Sequence, residues 1–150
     1  MVRSLPGVVL ASTIALATIG CGGDGGERLS RDEFVDRATE ICGRAEERIG
    51  ELEEPTSVAE LETYARDARG ITEEGVDDLR ELEPPQELEE GFDRYLEAAD
   101  EVIALLGELE QVAEDGEEAE ALRIAEEIGS AETSGPARAA GIEACENDAS

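Results

Sequence analysis

The chain has 150 residues and a net charge of −28, from 40 acids against 12 bases, with no histidine and with arginine as the only base. That length accommodates one domain. Such a charge repels phosphate backbones and anionic headgroups, which excludes nucleic acid and polybasic membrane docking. Only 3% of residues are aromatic and 35% are charged, so disorder is a rival that hydrophobic periodicity must decide.

Residues 1–20 read as a targeting segment: Met1 and Arg3 give a small positive start, followed by the uncharged run LPGVVLASTIALATIG. A run of sixteen uncharged residues is short for a span of about twenty. Cys21 follows Gly20 and precedes GGDGGER. A small residue, then cysteine, then a flexible polar stretch resembles the lipobox of bacterial lipoproteins. Ile19 and Gly20 fit that pattern, whereas Thr18 stands where an aliphatic residue is usual. The resemblance implies that Cys21 carries a diacylglycerol and that the signal is cut just before it. The protein would then sit on the outer face of the cytoplasmic membrane, with residues 21–28 as a tether. Its seven residues from Gly22 to Arg28 reach at most about 25 Å. The alternative is ordinary secretion, with cleavage near Ala15-Leu16-Ala17 and Cys21 left as a free thiol.

Export permits disulfides. With Cys21 assigned to lipid, Cys42 and Cys145 remain as an even pair. The alternatives are two free thiols or a metal site, and a metal would need further thiolate or imidazole ligands, of which none remain. We read the pair as a structural bridge, closing a loop of about a hundred residues that contributes up to ~4.7 kcal/mol in the chain-entropy model.

The bundle domain runs over residues 29–150. Ser30 and Glu33 form a capping box, with Leu29 and Phe34 at staple spacing. Apolar residues recur at Phe34, Ala38, Ile41, Ala45 and Ile49, and Gly50 supplies a stop. A second box, Ser57 to Glu60, opens a run through Leu61, Tyr64, Ala68, Ile71 and Leu79 that ends at Pro84-Pro85. The third stripe extends from Leu88 through Phe92, Tyr95, Ala99, Val102 and Leu106 to Leu109. Asp115-Gly116 makes a turn, Asp115 and Glu118 cap a fourth helix, and Ala119, Leu122, Ala125 and Ile128 follow at helical spacing. A last short turn covers Ala137 to Ala140, stopped by Gly141 with Ile142 behind it. Acids precede arginines by four residues at Glu33/Arg37, Glu40/Arg44, Glu62/Arg66 and Glu90/Arg94, the favourable order for helix pairs.

These elements predict an all-α fold, an antiparallel four-helix bundle with one disulfide. The bridge constrains the fourth helix. Cys42 lies about 12 Å below the end of its helix, whereas an unbroken helix from Gly116 to Ala140 would carry Cys145 more than ~30 Å from that end. The sulfurs would then never meet. The fourth helix must therefore bend or break between Gly129 and Pro136, or be offset, so that the tail returns along the first.

The segments SRDEF, ATEIC, LRELEPP, FDRYL and AGIEAC occur in an order that resembles small uncharacterised lipoproteins common in high-GC Gram-positive bacteria. The resemblance implies a helical domain with one bridge and implies no activity.

The residues point to no chemistry. Without histidine or lysine no activated nucleophile is in view. Carboxylate pairs could in principle hydrolyse glycosides, but they need a cleft with an apolar floor that a slim bundle hardly provides. They read as a solvated face, so no catalytic residue, metal ligand or cofactor is assigned and the chain reads as non-enzymatic. The acidic run EDGEEAEAL lacks the spacing of a calcium loop. The leading expectation is a lipid-anchored module that contacts another envelope protein. The alternative is a small-molecule or cation-binding lipoprotein with an interhelical pocket formed by Tyr64, Tyr95, Phe34 and Phe92. Gly75, Gly91 and Gly107 lie inside predicted helices, where each either permits close helix approach or leaves room for a ligand.

Overall fold

The computed structural model describes residues 28–146. The signal segment 1–20, Cys21 and tether residues 22–27 lie outside the described residues, as do residues 147–150. The described chain is helical throughout: α1 (Arg31–Gly50), α2 (Val58–Arg80), α3 (Glu89–Glu114), α4 (Glu118–Gly129), α5 (Ser134–Ala140) and a closing 3₁₀ turn (Glu143–Cys145).

Local chemistry accounts for most of these boundaries. At the start of α1, the Glu33 N–H donates to Ser30 Oγ (3.4 Å) while the Ser30 N–H donates to Glu33 Oε2 (3.2 Å), which completes the expected reciprocal cap. Leu29 packs into the same core as Phe34 and donates its N–H to Glu83 O (2.9 Å), tying the domain's first residues to the α2–α3 corner. Arg28, which the sequence reading gave to the tether, is fastened there too, through Glu89 (2.8 Å) and the Pro84 carbonyl (3.3 Å).

Three expected signals act differently from the sequence reading. Gly50 ends α1 without a positive φ; the Glu51 N–H closes the turn on Glu47 O (3.1 Å). At α2 the Ser57 hydroxyl accepts from the Glu60 N–H (3.3 Å), but the Glu60 carboxylate reaches Thr56, on both its N–H (2.8 Å) and its hydroxyl (2.7 Å), so the box is displaced by one residue. Asp115 does not cap α4. It closes α3, and Gly116 at φ 74° lets the Glu117 N–H reach back to Val112 O (2.9 Å). Gly141 (φ 71°) makes the same left-handed turn after α5, with the Ile142 N–H on Ala137 O (2.9 Å).

Helices α1, α2 and α3 run antiparallel in succession, and α4 with α5 returns along α3. The fourth arm is broken, as the bridge requires: α4 stops at Gly129, residues 130–133 bend, and α5 runs beside the first half of α3. Pro136 sits in the first turn of α5, where no intrahelical N–H is needed. Cys145 then lies beside α1 and is bonded to Cys42, with Cα atoms 5.2 Å apart. Gly91 makes this return path fit. A Cβ there would come within 2.5 Å of the Ala139 carbonyl carbon, so only glycine lets α3 and α5 approach so closely. That approach offsets the helix-interior cost of about 1 kcal/mol against alanine.

The core has three levels. At the base, Phe34, Ala38 and Ile41 of α1 pack with Leu79, Phe92, Tyr95, Ala137 and Ile142. In the middle, Ala68, Val102 and Leu106 are covered by Leu52, Tyr64, Ile128 and Ala131. At the distal end, Ala65, Leu109, Ala121 and Ile124 pack with Leu61, Leu105 and Val112. Side chains of α1 enter only the base level, and those of α4 only the other two.

Candidate functional site

The four aromatic side chains do not assemble into the expected pocket. Phe34 and Phe92 meet edge to face with centroids 5.0 Å apart and planes at 86°, which fills the space between α1 and α3. Tyr95 packs beside them, and burial pushes its hydroxyl pKa up to about 12. Tyr64 is half-buried and belongs to the middle level with Leu52 and Val102, not to this cluster. Neither of the two hollows beside α1, one against α2 and one against the tail, is lined by an aromatic residue. The rings are core, because each has a partner ring or aliphatic side chain where a ligand would need room.

The glycines also divide. Gly91 serves close helix approach, as described above. A Cβ on Gly107 would meet only Arg69 Cδ at 3.7 Å, and one on Gly75 would meet Ala45 Cβ at 3.5 Å, both ordinary contacts. Gly75 instead borders a cleft of about 130 Å³ between α1 and α2. Its floor is Ile41, Ala45, Ile71 and the bare Cα of Gly75. Its rim carries two crossing ion pairs, Arg44–Asp78 (3.0 Å) and Arg48–Glu74 (2.6 Å).

Sequence reasoning missed this site. It paired Arg44 with Glu40 along α1, whereas Arg44 reaches across to α2. Glu62–Arg66 (2.8 Å) and Glu90–Arg94 (3.5 Å) do form within their helices, and the Glu33 carboxylate is held by Ser30. The signal was present, since Arg44 and Arg48 lie four apart on α1 and Glu74 and Asp78 four apart on α2. In antiparallel helices such ladders face each other in reversed order. Recognising them needs the helix register, which the sequence does not state.

The second hollow, about 480 Å³ and more open, lies between α1 and the tail, with Asp32, Asp36 and Glu143 around Val35 and Gly141. No group of three or more acids or cysteines among the described residues is placed to hold a metal ion. No helix among the described residues is long and apolar enough to cross a membrane. Leu122, expected on the apolar stripe of the fourth helix, is instead the one exposed large apolar side chain among the described residues, and Ala121 and Ile124 are the buried residues of α4.

No family model, curated protein or solved structure matches this chain.

Proposed function

We propose that the protein is a non-enzymatic, lipid-anchored helical module on the outer face of the cytoplasmic membrane, held by acyl chains on Cys21 and acting through contacts with another envelope protein. The observation that carries this reading is the Cys42–Cys145 bridge, since structural disulfides persist in oxidising compartments outside the cytosol. The lipobox-like TIGC and the ordered resemblance to small actinobacterial-type lipoproteins favour the same address. The fastening of Arg28 and Leu29 to the α2–α3 corner gives a tether a fixed root on the domain. A partner would be complementary to an acidic surface and so basic at its contact face.

The test is crosslinking in intact cells, followed by mass spectrometry of the captured complex and of the amino-terminal peptide. The expected result is an acylated peptide beginning at Cys21, together with a reproducible neighbour. A non-acylated terminus would overturn the anchor, and an acylated protein without a specific neighbour would overturn the interaction module.

A second reading, small-molecule binding between helices, is favoured by the α1–α2 cleft and no longer by the aromatic residues.

A further inference from the structure

The α1–α2 cleft raises a specific question: why does α2 carry glycine at position 75? Gly91 is required by the close passage of α5, but Gly75 is not, since a Cβ there would make only an ordinary 3.5 Å contact with Ala45. A helix-interior glycine is unfavourable against alanine, and here, as at Gly43 and Gly70, no close approach of backbones offsets that; of these three only Gly75 borders the cleft. What a side chain at 75 would do is fill the floor of the cleft.

From this floor and its rim we infer that the cleft binds a small α-amino acid or similar zwitterion with a short apolar side chain. This rests on the second reading above. The size fits: about 130 Å³ is close to the ~150 Å³ of an engineered apolar cavity that takes benzene. Ile41, Ile71, Ala45 and Gly75 offer an apolar floor for a short side chain. Charge selects the class. An anion alone would draw Arg44 or Arg48 away and leave Asp78 or Glu74 unpaired on a chain already at −28. A cation alone would take a carboxylate and leave an arginine unpaired. A zwitterion replaces one protein ion pair by two, its carboxylate on the guanidinium and its ammonium on the freed acid, and strands no charge.

The exchange is also easy. The four rim side chains are 47% to 61% exposed, and ion pairs so exposed contribute little to stability, so the selection rests on the count of pairs: a single-charge ligand exchanges one pair for one, and a zwitterion exchanges one for two. Arg44 and Arg48 stand one turn apart, so either pair can open while the other still joins α1 to α2. So small a contact area should bind weakly, with half-saturation on the order of 1 mM.

The test is an amide-shift NMR titration of the full chain, isotope-labelled and purified in detergent micelles, with L-valine, acetate and propylammonium as separate probes. L-Valine should shift amides within residues 41–48 and 71–78, and neither single-charge probe should do so at the same concentration. Gly75→Ala should weaken that binding at least ten-fold with no fall in melting temperature. Gly43→Ala, a helix position where a Cβ meets open space, should leave binding unchanged. Undiminished L-valine binding by Gly75→Ala overturns the proposal. Shifts confined to another part of the bundle overturn this site and preserve the small-molecule reading. Acetate or propylammonium matching L-valine at the cleft overturns the zwitterion. No shift with any probe overturns both.

Discussion

Helices α2 and α3 run through both ends of the molecule, but their partners change along the way. At the base they meet α1, α5 and the Cys42–Cys145 bridge; at the distal end they meet α4 without a covalent tie. The base buries two phenylalanines, a tyrosine, leucines and isoleucines, whereas half of the fully buried distal set is alanine. Burying a large apolar side chain contributes about 1.5–3 kcal/mol, and an alanine methyl much less. Two stretches of the same helices should therefore differ in how readily they open, with the distal end at the low-stability end of the range.

The largest effect should come from removing the staple. The double variant Cys42→Ser/Cys145→Ser should lose ~4 kcal/mol of unfolding free energy, read by denaturant titration, because it frees a loop spanning a sequence separation of 103. Native-state hydrogen exchange should then show α1 and α5 opening as readily as α4. If α1 stayed better protected than α4, packing alone would explain the contrast between the ends.

Ile124→Ala comes next. It removes the largest fully buried side chain of α4 and should cost ~3 kcal/mol. Amide exchange should accelerate along α4 while the first half of α1 is unchanged. An equal acceleration in both would mean that the bundle opens as one unit and would erase the distinction between its ends.

Gly91→Ala sharpens the comparison from the base side. Its Cβ would meet the Ala139 backbone at 2.5 Å, and a backbone cannot rotate out of the way as a side chain can. We expect a loss of ~2 kcal/mol and faster exchange in α5. Stability equal to the parent's would show that α5 is free to shift.

The smallest effect is at the first cap. Ser30→Ala should lower the melting temperature by about 3–5 °C at pH 7. The Ser30 hydroxyl and N–H hold the Glu33 carboxyl below its ordinary value of 4.5. A lowered folded-state pKa stabilises the fold above about pH 4.5, and that contribution fades as pH falls through the lowered value. The gap between Ser30→Ala and the parent should therefore narrow in acid, without closing, because the hydroxyl still accepts from the Glu33 N–H. A gap as wide at pH 3 as at pH 7 would exclude the carboxylate from the cap.

Helix positions were legible wherever a local rule sufficed. Ser30 with Glu33, the 88–109 stripe, Pro84-Pro85 and Gly141 each act within a few residues of chain, where the sequence already contains both partners. The misreadings are also local, but they involve a choice between neighbours. Glu60 chose Thr56 over Ser57, and Asp115 closed α3 in place of opening α4. Such alternatives differ by little energy, and backbone direction settles them. The candidate site was not legible. The expected pocket lay among four aromatics on apolar stripes, yet the cleft is formed by common residues, Ile41, Arg44, Ala45, Arg48 and their counterparts on α2, brought together by one helix register.

What the sequence by itself determined is the helical class, the positions of the four long arms, the pairing of Cys42 with Cys145 and the need for a break before the tail. Periodicity, caps and the fixed rise of a helix act along the chain, so they can be counted from it. Only the tertiary structure decided which end α1 covers, that Phe34 closes on Phe92 and not on a ligand, and that Gly91 rather than Gly75 is the glycine the packing requires. Those outcomes depend on the rotation and offset of one helix against another. They are set jointly by side chains far apart in sequence, and a shift of a single residue would exchange a cleft for a core.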